Sequence, residues 1–322
     1  MIKIELSADK KSKIEEIFLN EVFQHKNKNK KTILKRLQED NNRTFLKNEF
    51  FQLYQFLFPD ESLHTDNVKK LLLAGKNELA HYISMFGNTN IKISQQLLQI
   101  FDYKKFAGSK AAYALLLVMD IKTCPYCNRA YIATLQNSSV KPQFDHYYPK
   151  SRYPYLALSL YNLIPCCSVC NLAKRDMDTT TRPILYPYAE EFGEKITFST
   201  SLKNTDEFVK FARGISDNFD VVINNPENIL YEQVHNQDES LHISELYNEH
   251  KDYIMDIFRK YYLYSASRKR ELLNCMPDLF HSEEDLWSVI FMNYLSKDCW
   301  GKRPLAKLTH DIYKELEMLD KS

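Results

Sequence analysis

Two pairs of cysteines restrict this chain more tightly than anything else in it. They are Cys124-x2-Cys127 in "KTCPYCNRAY" and Cys167-x2-Cys170 in "YNLIPCCSVCNLAK", with 39 residues between them. A C-x2-C turn offers two thiolates from one tight bend, and two such turns complete a closed, tetrahedral structural zinc site. A closed site has no position for a substrate, so this zinc is expected to hold structure rather than react. Its binding energy becomes folding energy, so the segment between the pairs is expected to be rigid. Cys166 cannot make the two-residue spacing with Cys170. Cys167 is therefore the expected ligand and Cys166 a small buried residue. Five of the seven cysteines fall within 47 residues, which suits a metal site in a reducing compartment better than a disulfide framework. Cys275 and Cys299, with His281 between them, lack the paired spacing and read as core or surface residues.

The 322 residues allow one large domain or two modest ones. With only 6 Gly and abundant Leu, Lys and Glu, the composition favours helix over sheet. No apolar run approaches the roughly 18 residues that span a bilayer. "AAYALLLVMDI" reads as a buried core helix, and "MIKIELSADKK" lacks a signal-peptide core, so a cytoplasmic location is expected. Residues 1–182 carry 27 Lys and Arg against 17 Asp and Glu. Residues 183–322 carry 16 against 25. A basic front half suits a polyanion such as nucleic acid, and an acidic back half suits a protein partner or the basic half itself. Two ordinary solvated surfaces give the same counts.

Three regions emerge. Residues 1–120 read as helical: "SKIEEIFLNEVFQHK", "TFLKNEFFQLYQFLF", "VKKLLLAGKNELAHYISMF" and Lys104–Met119 repeat apolar residues at three- and four-residue spacing. "KNKNKK", Lys26–Lys31, reads as a basic linker. Residues 121–182 lose that periodicity and gather Pro, Cys, Tyr and Asn. Within residues 183–322, "KITFSTS", "EFVKFAR" and "FDVVINN" read as short strands. Helix returns over 240–319 in three pieces, "SELYNEHKDYIMDIFRKYYLYSASRKRELLN", "SEEDLWSVIFMNYLS" and "RPLAKLTHDIYKELEML", the second opened by Ser282 as a cap. The expected class is α+β, mainly helical.

The chemistry is concentrated between the cysteine pairs. In "QFDHYYPKS", Pro149 ends any strand, so Asp145 and His146 are expected at a strand's end with diverging side chains. One can then reach a metal while the other faces a water. Residues 122–182 hold 8 Lys and Arg against 3 Asp and Glu, as a phosphodiester substrate requires. Tyr147, Tyr148, Tyr153, Tyr155 and Tyr161 serve either base stacking or packing, and packing is the simpler expectation.

Residues Cys124–Asp176 resemble the HNH nucleases. The carrying residues are Asp145 and His146, Asn162, and the frame "NLIPCCSVCNLAK" with Asn171 as the last motif position and Lys174 three positions on. The final Asn in place of His is a frequent variant in that family. The resemblance implies a ββα-metal module with structural zinc on Cys124, Cys127, Cys167 and Cys170. It implies Asp145 and Asn171 as ligands of one Mg²⁺ or Mn²⁺, which suits hard oxygen donors. It further implies His146 as general base, Asn162 orienting the loop that carries it, and DNA as substrate. Lys174 or Arg175 would contact the scissile or a neighbouring phosphate, with Lys150 and Arg152 as weaker backbone contacts. The wider frame is similar to the nuclease subunits of Septu-type and retron-associated bacterial anti-phage defence systems, which work beside an ATPase. This chain has no P-loop, so a partner would supply ATP, docking on the helical N-terminal or acidic C-terminal region. Two other readings fit less. A non-catalytic zinc module binding nucleic acid or protein leaves Asp145, His146 and Asn171 without a role. A thiol oxidoreductase built on Cys124-x2-Cys127 leaves the second pair idle.

Overall fold

The computed structural model describes residues 1–24, 31–136, 140–203, 208–213 and 215–320. The basic linker read at Lys26–Lys31 lies outside them except for Lys31. The chain is mainly helical, with two small antiparallel sheets. It divides into two compact units, one of Ile4–Ile121 and Ile132–Ala189, the other of Met1–Lys3, Lys122–Tyr131 and Glu190–Ser322. Among the described residues no helix is long and apolar enough to cross a membrane.

The first unit opens with α1, Ala8–Phe23, whose Ile14, Phe18 and Val22 recur every fourth residue and are buried. The Ser7 hydroxyl caps it by accepting from the Lys10 N–H. Helices α2, Ile33–Gln38, and α3, Asp40–Glu49, follow. Each long helix expected further along is in fact two. The stretch 44–58 divides at Phe50, where φ −146° leaves the helical region, into α3 and α4, Phe51–Leu57. The stretch 68–86 divides at Ala74-Gly75 into α5, Thr65–Leu72, and α6, Lys76–Phe86. Helix α7 covers Ile91–Ile100, between the stretches quoted from the sequence, behind an Asn90 cap. The stretch 104–119 divides at Gly108-Ser109 into α8, Tyr103–Ala107, and α9, Lys110–Met119, because the Ser109 hydroxyl starts a new helix by accepting from the Ala112 N–H. The apolar spacing marks the buried faces but is blind to these breaks, which caps and local dihedrals make.

After α9 the same unit forms a hairpin of β1, Gln143–His146, and β2, Leu163–Cys166, with Asp145 opposite Ile164 and His146 opposite Leu163. Helix α10, Ser168–Lys174, follows directly. The connection from 147 to 162 is closed by one side chain. Asn162 Oδ1 accepts from the Tyr148 N–H at 2.8 Å, and its Nδ2 donates to the Tyr148 and Leu156 carbonyls, both at 3.1 Å. The N-terminal helices hold the outside of this loop. The Ser159 hydroxyl donates to the Leu71 carbonyl, the Tyr155 hydroxyl to the Gly87 carbonyl, and the Thr89 N–H to the Arg152 carbonyl. Tyr147, Tyr148, Tyr153, Tyr155 and Tyr161 are all buried, so they pack rather than present faces to bases.

In the second unit, residues 122–131 make a tight turn. The Asn128 N–H donates to the Cys124 carbonyl at 2.7 Å, and Asn128 adopts a φ of 50°. Its buried amide donates to the Trp300 carbonyl, and the Tyr247 hydroxyl donates to the Cys127 carbonyl. A second hairpin pairs β3, Thr197–Leu202, with β4, Phe219–Asn224, as the sequence suggests. "EFVKFAR" is not a strand. Its described part is a short helix, α11, Phe208–Ala212, and Phe211 buries its ring against Phe219 and Phe258. Helix α12, Tyr231–Leu241, begins ahead of the helical stretch expected from residue 240. The single helix expected over 244–274 is three: α13, Ile243–Asn248, α14, Lys251–Leu263, and α15, Ala266–Cys275. Helix α16, Glu283–Phe291, opens on Ser282, whose hydroxyl accepts from the Asp285 N–H as expected. Helix α17, Ala306–Leu319, lies along β3, and its buried Asp311 accepts from the Phe198 N–H.

Replacing Asn162 by Ala removes three buried hydrogen bonds and leaves backbone groups unpaired, which costs about 3 kcal/mol. Urea unfolding should show that loss, and an unchanged midpoint would mean the loop closes without the amide.

Candidate active site

His146 ends β1, and its surroundings decide which ring nitrogen carries the proton. Nε2 lies 3.0 Å from the Ala157 carbonyl in the closed loop. A carbonyl only accepts, so Nε2 is the protonated nitrogen and Nδ1 keeps its lone pair. The Lys150 ammonium lies 3.5 Å from Nδ1. The Tyr103 ring from α8 packs edge-on against the imidazole, with centroids 4.4 Å apart, and its hydroxyl donates to the Phe144 carbonyl. His146 is 5% exposed. Burial first, then the Lys150 charge, hold its pKa down to about 3. The imidazole is therefore neutral across the ordinary pH range. Burial, together with the nearby Asp145 charge, pushes the Tyr103 hydroxyl up to about 12.

Asp145 is fixed from behind by Lys174, the last residue of α10. The Lys174 ammonium is 3.2 Å from Asp145 Oδ1, 3.1 Å from Oδ2, and donates to the His146 carbonyl at 2.6 Å. Three acceptors meet three N–H donors, and Lys174 is 1% exposed. The expectation that Lys174 meets a substrate phosphate is therefore corrected: its position on the inner face of α10 encloses it under β1. Asn171, one turn earlier on α10, donates from Nδ2 to Gln143 Oε1 at 2.7 Å, which leaves its Oδ1 for another ligand.

Asp145, His146 and Asn171 line one cleft of ≈ 1010 Å³. Its cationic rim is Lys104, Lys141, Lys150 and Arg175, against Asp145 and Asp176. Arg152 does not line it. Its guanidinium turns to Asp178 at 3.6 Å. Asn162 stands one layer back, in the loop closure described above. Arg175 is exposed and has φ 50° and ψ −124°, a strained conformation for a residue with a side chain. Tyr103, Lys104, Lys141 and Gln143 were not singled out from the sequence. The aromatic–basic run "DYKK" is the one local signal, and nothing in it says that it faces residues 40 positions on.

Asp145 and Asn171 supply hard oxygens of the kind that bind Mg²⁺ or Mn²⁺, which take one or two protein oxygens and complete their shell with water and phosphate. Lys174 contacts both carboxylate oxygens of Asp145, which is 2% exposed where it lines the cleft. Separately, the Sγ atoms of Cys124, Cys127, Cys167 and Cys170, all buried, lie within 4.8 Å of one another. A tetrahedral zinc with bonds near 2.3 Å sets sulfurs about 3.8 Å apart, so the four thiols can hold such an ion. Local geometry agrees: the Arg129 N–H points at Cys127 Sγ and the Cys170 N–H at Cys167 Sγ. Cys166 is buried apart from this group, and burial raises its thiol well above the usual range.

No family model and no solved structure matches the chain. Among curated proteins it is similar to the Septu protein PtuB of Bacillus thuringiensis, 30% identical over 120 residues. That match spans 37% of this chain and 44% of the relative, so the chain covers less than half of the protein it resembles.

Cys167→Ala should abolish stoichiometric zinc in the purified protein and lower its melting temperature, while Cys166→Ala keeps both. Equal loss in the two variants would assign the wrong cysteine. Lys174→Met takes the ammonium away from a buried carboxylate and should destabilise by about 3–5 kcal/mol. In denaturant titrations, most of that loss should return in the double variant with Asp145→Leu.

Proposed function

We propose that this chain is a metal-dependent HNH-type endonuclease that hydrolyses DNA phosphodiester bonds as the effector of an anti-phage defence system. The observation that carries the reading is the state of His146: a neutral imidazole, locked by the Ala157 carbonyl, with its unprotonated Nδ1 facing the Lys150 ammonium in the cation-rimmed cleft that Asp145 also lines. The similarity to a Septu protein supports the defence role. An ATPase partner encoded nearby belongs to the same proposal.

In this reading Nδ1 takes a proton from the water that attacks phosphorus as the phosphorus–oxygen bond opposite breaks. The Ala157 carbonyl holds the ring in line and stabilises the imidazolium that forms. A base held down to about 3 is weak, but a phosphodiester anion in the cleft raises it by favouring the charged ring. Asp145 and Asn171 would hold a divalent ion, which would stabilise the negative charge that builds up as the phosphodiester is cleaved. Lys174 keeps the Asp145 carboxylate aimed, in the manner of an outer-sphere partner. Arg175 and Lys150 meet phosphates at the rim. Asn162 keeps the loop, and with it Ala157, in place.

Plasmid cleavage should require Mg²⁺ or Mn²⁺, with the ATPase partner co-expressed where the chain alone is silent. His146→Ala should lower the rate by at least about 10² while zinc content and melting temperature stay put. Because kcat/KM reports the free protein, it should stay flat from pH 7.5 to pH 5. An acid limb centred on the ordinary histidine value of about 6.5 would show that burial does not hold the free-protein imidazole neutral, and would leave the base assignment to the His146→Ala variant.

A further inference from the structure

The catalytic cleft does not end at Lys104 and Lys150. A second hollow of ≈ 510 Å³ shares Leu98, Tyr103, Lys104 and Lys150 with it and continues onto α7. Its new polar groups are Gln95 and Gln99, both exposed. They stand one helical turn apart, about 6 Å along the axis, so both face the hollow. Their amides have no hydrogen-bond partner among the described residues. Neighbouring Gln96 differs: it turns inward and donates to Asn42. The one acid in the hollow, Asp102, caps α8 and pairs with Arg36 at 3.2 Å, so its charge is answered away from the cleft.

We infer that Gln95 and Gln99 read the base edges of nucleotides flanking the scissile phosphate, making α7 a specificity element of the nuclease. This inference rests on the nuclease reading above. A strand whose phosphates follow Arg175, Lys150 and Lys104 past His146 must leave the cleft through the shared wall, and there it meets two amides rather than more cations. Lysines hold any sequence alike. A glutamine amide offers a donor and an acceptor side by side, the pattern that pairs with adenine N6 and N7 and discriminates against other bases. The N-terminal helices thus carry recognition as well as support.

The test is to sequence the ends produced from a randomised DNA library. The wild-type protein should prefer certain bases at one or two positions on one side of the cut by about tenfold or more. Gln95→Ala with Gln99→Ala should flatten that ratio to below about threefold. Lys104→Ala should slow cutting at all sequences and keep the ratio. An unchanged ratio in the double glutamine variant, or no preference in the wild type, overturns the inference and leaves the nuclease reading standing. If nothing is cut with either metal or with the partner, the nuclease reading falls. Fluorescence anisotropy with the same His146→Ala protein and oligonucleotides differing at those positions then decides recognition separately. Affinity differences erased by the glutamine changes uphold the role of α7, and no difference or no binding ends it.

Discussion

A single buried ammonium organises the candidate site. Lys174 spends all three N–H groups on the Asp145 carboxylate and the His146 carbonyl, so α10 and β1 cannot move independently. Removing a charge from water is costly unless its protons are answered, and here all three N–H groups of Lys174 are. The arrangement also sorts the two members of the Asp-His pair. The carboxylate is pinned by the Lys174 ammonium, while the imidazole is pinned through the far end of its ring.

The loop from 147 to 162 makes that second pin possible, and it is a joint product of near and distant residues. Asn162 closes it from within, and Leu71, Gly87 and Thr89 bind it from the N-terminal helices. Tyr103 and Lys104 come from the same helices and form one wall of the cleft. A minimal hairpin-and-helix motif would expose His146 to solvent on that side. In this chain the wall buries the ring, and burial is what keeps it neutral.

The pairing of β1 with β2 and the helix α10 were expected only through the family resemblance, whereas the cysteine spacing and the strand end before Pro149 were legible because each follows from short-range chemistry. The choice of Cys167 over Cys166 was legible for the same reason. The wall was not, since the periodicity that marks α8 as a helix says nothing of the residues it faces. Lys174 was misread because a lysine after a motif looks solvent-bound, and only the register of α10 against β1 turns it inward. "EFVKFAR" failed likewise: alternation over so few residues fits a single helical turn equally well, and Phe211 settles it by packing on Phe219 and Phe258.

Arg175 follows α10 with backbone angles that suit glycine rather than a long side chain. Were the helix to continue through it, each further residue would rotate about 100° around the axis, and the guanidinium would swing off the rim. The awkward backbone therefore fixes the direction of one cation at the cleft, tying it to the segment that follows α10 rather than to the helix itself.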